Sequence, residues 1–326
     1  MQYNGNNAGR KRLNFRAVKK IVAVTLAALL LAFAFVTYFF PLKSLLPPYK
    51  IPPRQADELR IHFLEVGQGD CSIVEFPSGN ILVIDGGDGS FTSRNRLIRY
   101  LKGLDASSLS LLVSHADRDH FGAFEEVLKL FKVDTLYLPV IGAENVAYRS
   151  LLLQAEKTGL KTKTLTRYGV IADGSGAYVN CISPYSTGET DENDSSAVLY
   201  LSYKDVSAVF TGDISANREE RLVREYALDN TVFDRGEYTV RLDGIDVLKA
   251  AHHGSKDSSS EAFLSLIGAE VAVVSAGRGN SYSHPNGDAI SRLIGSGAEI
   301  YRIDELGNVV VSVKDGTYSV RTNITE

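Results

Sequence analysis

The first strong pattern in the chain is an unbroken apolar run from Ile21 to Phe40, with no charged residue inside it. Such a run, wound as a helix, crosses roughly 30 Å of hydrocarbon. It predicts a transmembrane helix over 21–40. The rival reading is a cleaved signal peptide, but no small-x-small cleavage site follows the run. Instead come Pro41-Leu42-Lys43 and then Pro47, Pro48, Pro52 and Pro53, so 41–57 reads as a stiff linker. From residue 58 the pattern becomes short apolar segments separated by turns. Segments 59–66, 71–76 and 81–84 read as strands of an antiparallel meander, with turns at Gly67-Gln68-Gly69-Asp70 and Pro77-Ser78-Gly79-Asn80. Helical patterns at 93–103, 122–131, 144–159, 216–228, 259–267 and 286–295 then alternate with apolar strands at 109–113, 135–138, 197–201, 206–210, 246–248 and 271–274. A closing hairpin is predicted from 309–313 and 317–320. A meander followed by alternating units predicts an α/β domain over 58–326, with two sheets flanked by helices.

Charge changes the picture at the N-terminus. The chain of 326 residues has a formal net charge of −4. Residues 1–20 carry Arg10, Lys11, Arg12, Arg16, Lys19 and Lys20 and no acid, so removing these six positives leaves −10 on the rest. Basic residues ahead of a span stay on the cytoplasmic side. This predicts a basic cytoplasmic segment (1–20), a single span and an extracytoplasmic body. An acidic body gains no global electrostatic help toward nucleic acid. The one basic stretch, Lys157, Lys161, Lys163 and Arg167, reads as a solvated helix face. Two cysteines, Cys71 and Cys181, both in apolar segments, read as buried thiols rather than a disulfide framework.

The candidate chemistry lies in histidine. Five of the six histidines fall in three short clusters, each after an apolar strand. Loops at strand ends are where a rigid sheet presents ligands. The first cluster is Ser114-His115-Ala116-Asp117-Arg118-Asp119-His120, whose imidazoles and carboxylates suit a divalent metal. Thr211-Gly212-Asp213 follows another strand and offers a carboxylate that could bridge two ions. Lys249-Ala250-Ala251-His252-His253-Gly254-Ser255 follows a third, and His284-Pro285 comes later. Adjacent histidines on an extended strand point opposite ways, so one of His252 and His253 is expected as a ligand and the other facing substrate. His62, inside the first strand, reads as packed.

Together these residues resemble the metallo-β-lactamase superfamily. The signature His-x-His-x-Asp-His reads here His115-x-Asp117-x-Asp119-His120. Asp in the second place, with Val66-Gly67-Gln68-Gly69-Asp70, Ile84-Asp85-Gly86-Gly87, Thr211-Gly212-Asp213, His252-His253-Gly254-Ser255 and His284-Pro285, is similar to the hydrolase domain of ComEC-type competence proteins. The resemblance covers about residues 58–315. It implies a four-layer αβ/βα sandwich and a hydrolase in which metal-activated water attacks phosphorus or carbonyl carbon. It implies metal ligands His115, Asp117, Asp119, His120, Asp213 and His253, with His253 favoured over His252. Asp119, His252 and His284 would face the reaction, and Asp70, Asp85 and Asn193 would support the ligands. The usual histidine between the first cluster and Asp213 is absent, and Asp191-Glu192-Asn193-Asp194-Ser195-Ser196 stands there. That oxygen-rich set widens the metal choice to one or two ions of Zn²⁺ or Mn²⁺. The branch implies a phosphodiester substrate, with DNA the candidate polymer. A surface esterase for a small phosphoester such as wall-polymer phosphocholine is the alternative, and a non-catalytic metal-binding module is the third. No protein partner is evident.

Overall fold

The computed structural model describes residues 15–39, 47–104, 106–139, 146–183, 191–229 and 238–322. The chain divides into two compact units, 1–46 and 47–326. In the first, residues 21–39 of the apolar run lie within one 25-residue helix, α1 (Phe15–Phe39). Among the described residues, no helix is both long and apolar enough to cross a membrane. Residue 40 and the side chains of 33–39, part of the expected span, lie outside the described residues, as do residues 41–46 and most of the basic segment.

In the second unit the meander forms as predicted: β1 (Leu59–Phe63), β2 (Ser72–Glu75) and β3 (Asn80–Ile84) pair antiparallel. After α2 (Phe91–Gly103), β4 (Ser108–Leu112) adds parallel to β3. The short helices α3 (Arg118–Phe121) and α4 (Phe124–Leu130) lead to β5 (Thr135–Leu138), and α5 (Val146–Thr158) leads to β6 (Lys161–Thr164). The second sheet holds β7 (Val170–Ala172), β8 (Tyr178–Ser183), β9 (Val198–Tyr203), β10 (Val206–Phe210), β11 (Val247–Lys249), β12 (Val271–Val274) and β13 (Glu299–Arg302). Helices α6 (Ala216–Asp229), α7 (Glu261–Ile267), α8 (Gly287–Gly295) and α9 (Ile303–Leu306) accompany it. The closing hairpin of β14 (Val309–Lys314) and β15 (Thr317–Thr322) returns to the first sheet, with β14 antiparallel to β1. The strand orders are β15-β14-β1-β2-β3-β4-β5-β6 and β13-β12-β11-β10-β9-β8-β7.

The inner faces of the two sheets share one core, where Phe63 of β1 lies 6.0 Å, ring to ring, from Phe210 of β10. The outer face of the first sheet packs on α2 to α5 through residues such as Leu97, Phe124 and Leu151. The outer face of the second packs on α6 to α8 through Leu222, Phe263 and Leu293. Four layers result, helices outside and sheets inside, the arrangement expected of strands that are apolar on both faces.

Strands β6, β7 and β13 were not predicted, and β8 was seen only as the apolar segment around Cys181. β6 is Lys-Thr-Lys-Thr, exposed throughout at a sheet edge, where lysines discourage pairing with another chain. The expected basic helix face is thereby corrected. Lys157 sits on α5, Lys161 and Lys163 sit on the edge strand, and Arg167 is paired with Glu225 at 2.8 Å. Both cysteines are buried free thiols.

Candidate metal centre

Parallel pairing brings the chemistry together. β3 and β4 run parallel in one sheet, β10 and β11 in the other, so the loops leaving all four strands gather at one edge of the sandwich. β3 delivers Asp85, β4 the 114–120 loop, β10 Asp213 and β11 the turn Ala251–Gly254. Asp70 comes from the turn between β1 and β2. Its carbonyl accepts from Gly87 N (2.8 Å), and its N–H donates to Asp119 O (3.2 Å). Gly69 beside it has φ +132°, and a Cβ there would meet the Asp119 carbonyl at 2.4 Å, so only glycine lets these loops touch.

Five side chains meet at the centre. Asp213 Oδ2 lies 3.3 Å from His120 Nε2 and 3.4 Å from His253 Nε2, and Asp119 Oδ2 lies 3.3 Å from His253 Nε2. The His115 ring stands 4.1 Å from that of His120. Each imidazole is held from behind by its other nitrogen. His120 Nδ1 meets Asp85 Oδ2 at 2.8 Å, His253 Nδ1 meets the Ser275 carbonyl at 2.9 Å, and His115 Nδ1 meets Ser114 Oγ at 3.1 Å. Ser114 is itself tied to Asp85, donating from N (2.8 Å) and Oγ (2.7 Å). A histidine anchored through Nδ1–H directs an Nε2 lone pair forward, which is how metal-binding imidazoles are prepared.

These residues fit a divalent ion. Nε2 of His115, His120 and His253 and Oδ1 of Asp213 are buried without a hydrogen-bond partner, and all aim inward. Buried polar atoms are rarely left so. Donor atoms of His115, His120 and Asp213, and of Asp119, His120 and His253, form two sets each within 4.8 Å. The electrostatics agree. Burial pushes His253 down, but Asp213 and Asp70 with Asp119 outweigh it and lift the ring to about 10. His120 is lifted for the same reason, against burial, by Asp213 and Asp85. Burial pushes Asp213 up, yet His253 and His120 hold it well below the usual carboxylate range. Carboxylates that attract protons onto neighbouring imidazoles attract a metal cation equally, with release of those protons. His115 differs: burial, then the repulsion of His120, lowers it to about 3, so it stands neutral and ready to ligate.

The structure separates the predicted residues. It brings His115, Asp119, His120, Asp213 and His253 together, with Asp85 and Asp70 directly behind them. It does not bring Asp117 in as a ligand, because that exposed carboxylate caps α3, accepting from Arg118 N at 2.9 Å, and only lines the cavity. Nor does it bring in Asn193. The 191–196 segment reaches the centre through Ser196, whose Oγ accepts from Asp213 N at 3.0 Å, while Asp194 accepts from Ser215 N at 2.8 Å. His252 and His253 are resolved by backbone geometry. Both are left-handed, at φ 49° and 53°, so the turn sends His253 into the cluster and leaves His252 facing the cavity, its Nε2 3.8 Å from Asp213 Oδ2. Gly254 continues the turn at φ +76°, where a Cβ would lie 2.7 Å from that of Pro285. His284 closes one side, its ring 5.6 Å from that of His252. His62 is packed as expected, against Tyr100 Oη at 2.9 Å and Glu75 at 3.3 Å.

Two contributors carried no recognised sequence signal. Ser114 reads as an ordinary loop serine. Lys249 ends an apolar strand, and a lysine in that place was the available clue. Its ammonium is buried, ion-paired with Asp70 and 3.4 Å from the Gly212 carbonyl. The mouth is a cavity of about 340 Å³, lined in part by Gln68, Arg118, His252, Tyr282 and His284. A larger hollow of about 560 Å³ between α7 and α8 holds no histidine.

With this geometry in view, the comparisons agree. The sequence profile described as the metallo-β-lactamase superfamily matches residues 64–171 and 189–278. The chain belongs to the metallo-β-lactamase superfamily. Within it, ComE operon protein 3 of Bacillus subtilis is 27% identical over 288 residues, covering 83% of this chain and 35% of that protein. Competence protein ComA of Neisseria gonorrhoeae is 26% identical over 281 residues, covering 86% and 34%. Recombination protein 2 of Haemophilus influenzae is 26% identical over 236 residues, covering 72% and 26%. These are relatives of the ComEC type, the branch to which Asp117 in the superfamily signature pointed, and the chain spans about a third of their length or less. Among solved structures, the metallo-β-lactamase fold protein YhfI of Bacillus subtilis superposes over 81% of this chain and 100% of that one, with a TM-score of 0.48 at 9% identity.

Proposed function

We propose that this superfamily member is a metal-dependent phosphodiesterase, held at a membrane by α1 with its body on the extracytoplasmic side. The observation that carries the reading is the inward convergence of three unpartnered Nε2 atoms and Asp213 below an open cavity. A divalent ion bound there supplies a Lewis acid and lowers the pKa of water at the site. His115, Asp119, His120, Asp213 and His253 would hold it, as Zn²⁺ or Mn²⁺. Asp85, Ser114 and Ser275 fix the ring orientations, and Asp70 with Lys249 backs His253. His252, at the mouth, is placed to give a hydrogen bond or proton to a substrate oxygen. The names of the competence and recombination relatives support DNA as the polymer. The anchor and its orientation are supported by the apolar run 21–40 and the six basic residues before it.

A second reading, a small phosphoester as substrate, is favoured by one observation: the body beyond residue 20 carries a net charge of −10, which repels a long polyanion. The first experiment is hydrolysis of bis-p-nitrophenyl phosphate by the full chain, stripped of metal and then reloaded with Mn²⁺ or Zn²⁺, beside Asp119→Ala. Turnover restored by metal and abolished by Asp119→Ala is expected. Metal binding without turnover in the folded chain would sink the phosphodiesterase and leave a narrow ester substrate or a binding role.

A further inference from the structure

The rim of the cavity holds an aromatic ring that the proposed hydrolysis does not use. Tyr282 lines the mouth and is 65% exposed, far more than a packed tyrosine. Its ring is nearly parallel to that of His284, at 24° and 6.0 Å between centroids. His284 in turn lies 6.2 Å from His253, so Tyr282 stands two ring contacts from the metal ligands. The loop that presents it is held shut by Asn280. Asn280 Oδ1 accepts from Tyr282 N (3.0 Å) and His284 N (3.1 Å), while Nδ2 donates to the carbonyls of Gly277 (2.8 Å) and His284. The tyrosine thus has His284 as a ring neighbour, a backbone N–H held by Asn280, and most of its surface open to solvent beside the proposed reaction centre. Arg118, exposed on the same lining, adds a guanidinium.

From this we infer that Tyr282 is a stacking subsite for the nucleobase next to the scissile phosphate, so that the substrate is a single-stranded nucleic acid or a nucleoside phosphodiester. The inference rests on the phosphodiesterase reading and names its substrate class. A flat ring with one free face suits a base, and every base has such a face. A quaternary ammonium such as choline prefers a cage of several aromatic faces. Here Tyr282 is the exposed aromatic ring among the described lining residues, a single face and not a cage.

The test is calorimetric binding to the Mn²⁺-loaded full chain of two cleavage-resistant phosphorothioate tetramers, one of thymidine and one of abasic residues. Their backbones carry equal charge, so they differ by the bases alone. The thymidine tetramer is expected to bind about tenfold or more tightly, in keeping with stacking contributions of ~1–3 kcal/mol per base. Tyr282→Ala is expected to remove that preference, and Tyr282→Phe to keep it. Equal binding of the two tetramers, or a preference that survives Tyr282→Ala, would overturn the subsite. So would competition by phosphocholine that depends on Tyr282. The bis-p-nitrophenyl phosphate assay separates the two claims. Base preference without turnover keeps the subsite and removes the phosphodiesterase, and turnover without base preference does the reverse.

Discussion

Lys249 drives its ammonium into the buried carboxylate of Asp70, whose other oxygen lies 3.2 Å from His253 Nδ1. Burial pushes Asp70 up, but the charge of Lys249, then that of His253, outweighs it and holds the group below the usual carboxylate range. The pair thus keeps a negative charge behind the candidate ligand His253 in a buried place. Removing one partner of such a pair strands the other, at about 3–5 kcal/mol. Lys249→Met should lower the stability of the metal-free protein by roughly that much in urea unfolding. Adding Asp70→Asn should recover part of the loss. A Lys249→Met protein as stable as the parent would show that the pair contributes nothing.

Asp117 occupies a ligand place in the signature but serves as a helix cap. Asp117→Ala should therefore leave the bound metal per chain unchanged and cost about 1 kcal/mol of stability. Asp213→Ala should lose metal. Metal analysis after gel filtration compares the two, and loss of metal from Asp117→Ala would return that carboxylate to the coordination shell.

The candidate ligands come from both sheets: His115, Asp119 and His120 follow β4, while Asp213 and His253 follow β10 and β11. An ion bound among them favours the state in which the sheets are docked. At a free-ion concentration a thousandfold above Kd, that linkage contributes about 4 kcal/mol. Chelation should lower the thermal midpoint measured by circular dichroism, and reloading should restore it. An unchanged midpoint in a protein shown to bind metal would contradict the shared seat.

Away from the centre, Glu58 governs acid stability at the start of β1. Burial pushes its carboxyl up, but the guanidinium of Arg60 at 2.9 Å and the Gln55 N–H at 2.7 Å outweigh that and bring it from 4.5 to about 2. A group whose value is depressed in the folded state contributes fully above its unfolded value and loses that contribution as pH falls through the folded one. The Glu58 contribution should be complete above pH 4.5 and fade toward pH 2. Denaturant midpoints of Glu58→Gln should be lower than those of the parent at pH 6 and converge with them near the acid end. Parallel curves would contradict the assignment.

The sequence made the architecture legible where burial imposes a period. The meander, the parallel strands β4, β5, β11 and β12 and the closing hairpin were all visible as apolar runs. β6 and β7 were not, since exposed or half-buried edge strands need no apolar alternation. The centre was legible as residue types at strand ends, and the fold brings five of those residues together, His115, Asp119, His120, Asp213 and His253. What spacing could not convey was direction. Two left-handed residues place His253 among the clustered side chains and His252 toward the cavity, and Asp117 faces an adjacent N–H that it caps. Lys249 escaped because a buried charge is recognisable only once its partner, distant in sequence, is in place.

Asn280 makes its hydrogen bonds inside its own loop, to Gly277, Tyr282 and His284, and the loop is tied to the rest of the body through Gly277 N to Gln68 Oε1 (3.1 Å) and Arg278 Nε to the Asp304 carbonyl (2.9 Å). The rim is in that sense a cartridge held by few bolts, since the candidate ligands Asp119, Asp213 and His253 and the carboxylates behind them are set by loops that leave other strands. Divergence among such proteins would then run through this rim, with new substrates acquired by recasting a few residues and the reactive centre inherited whole.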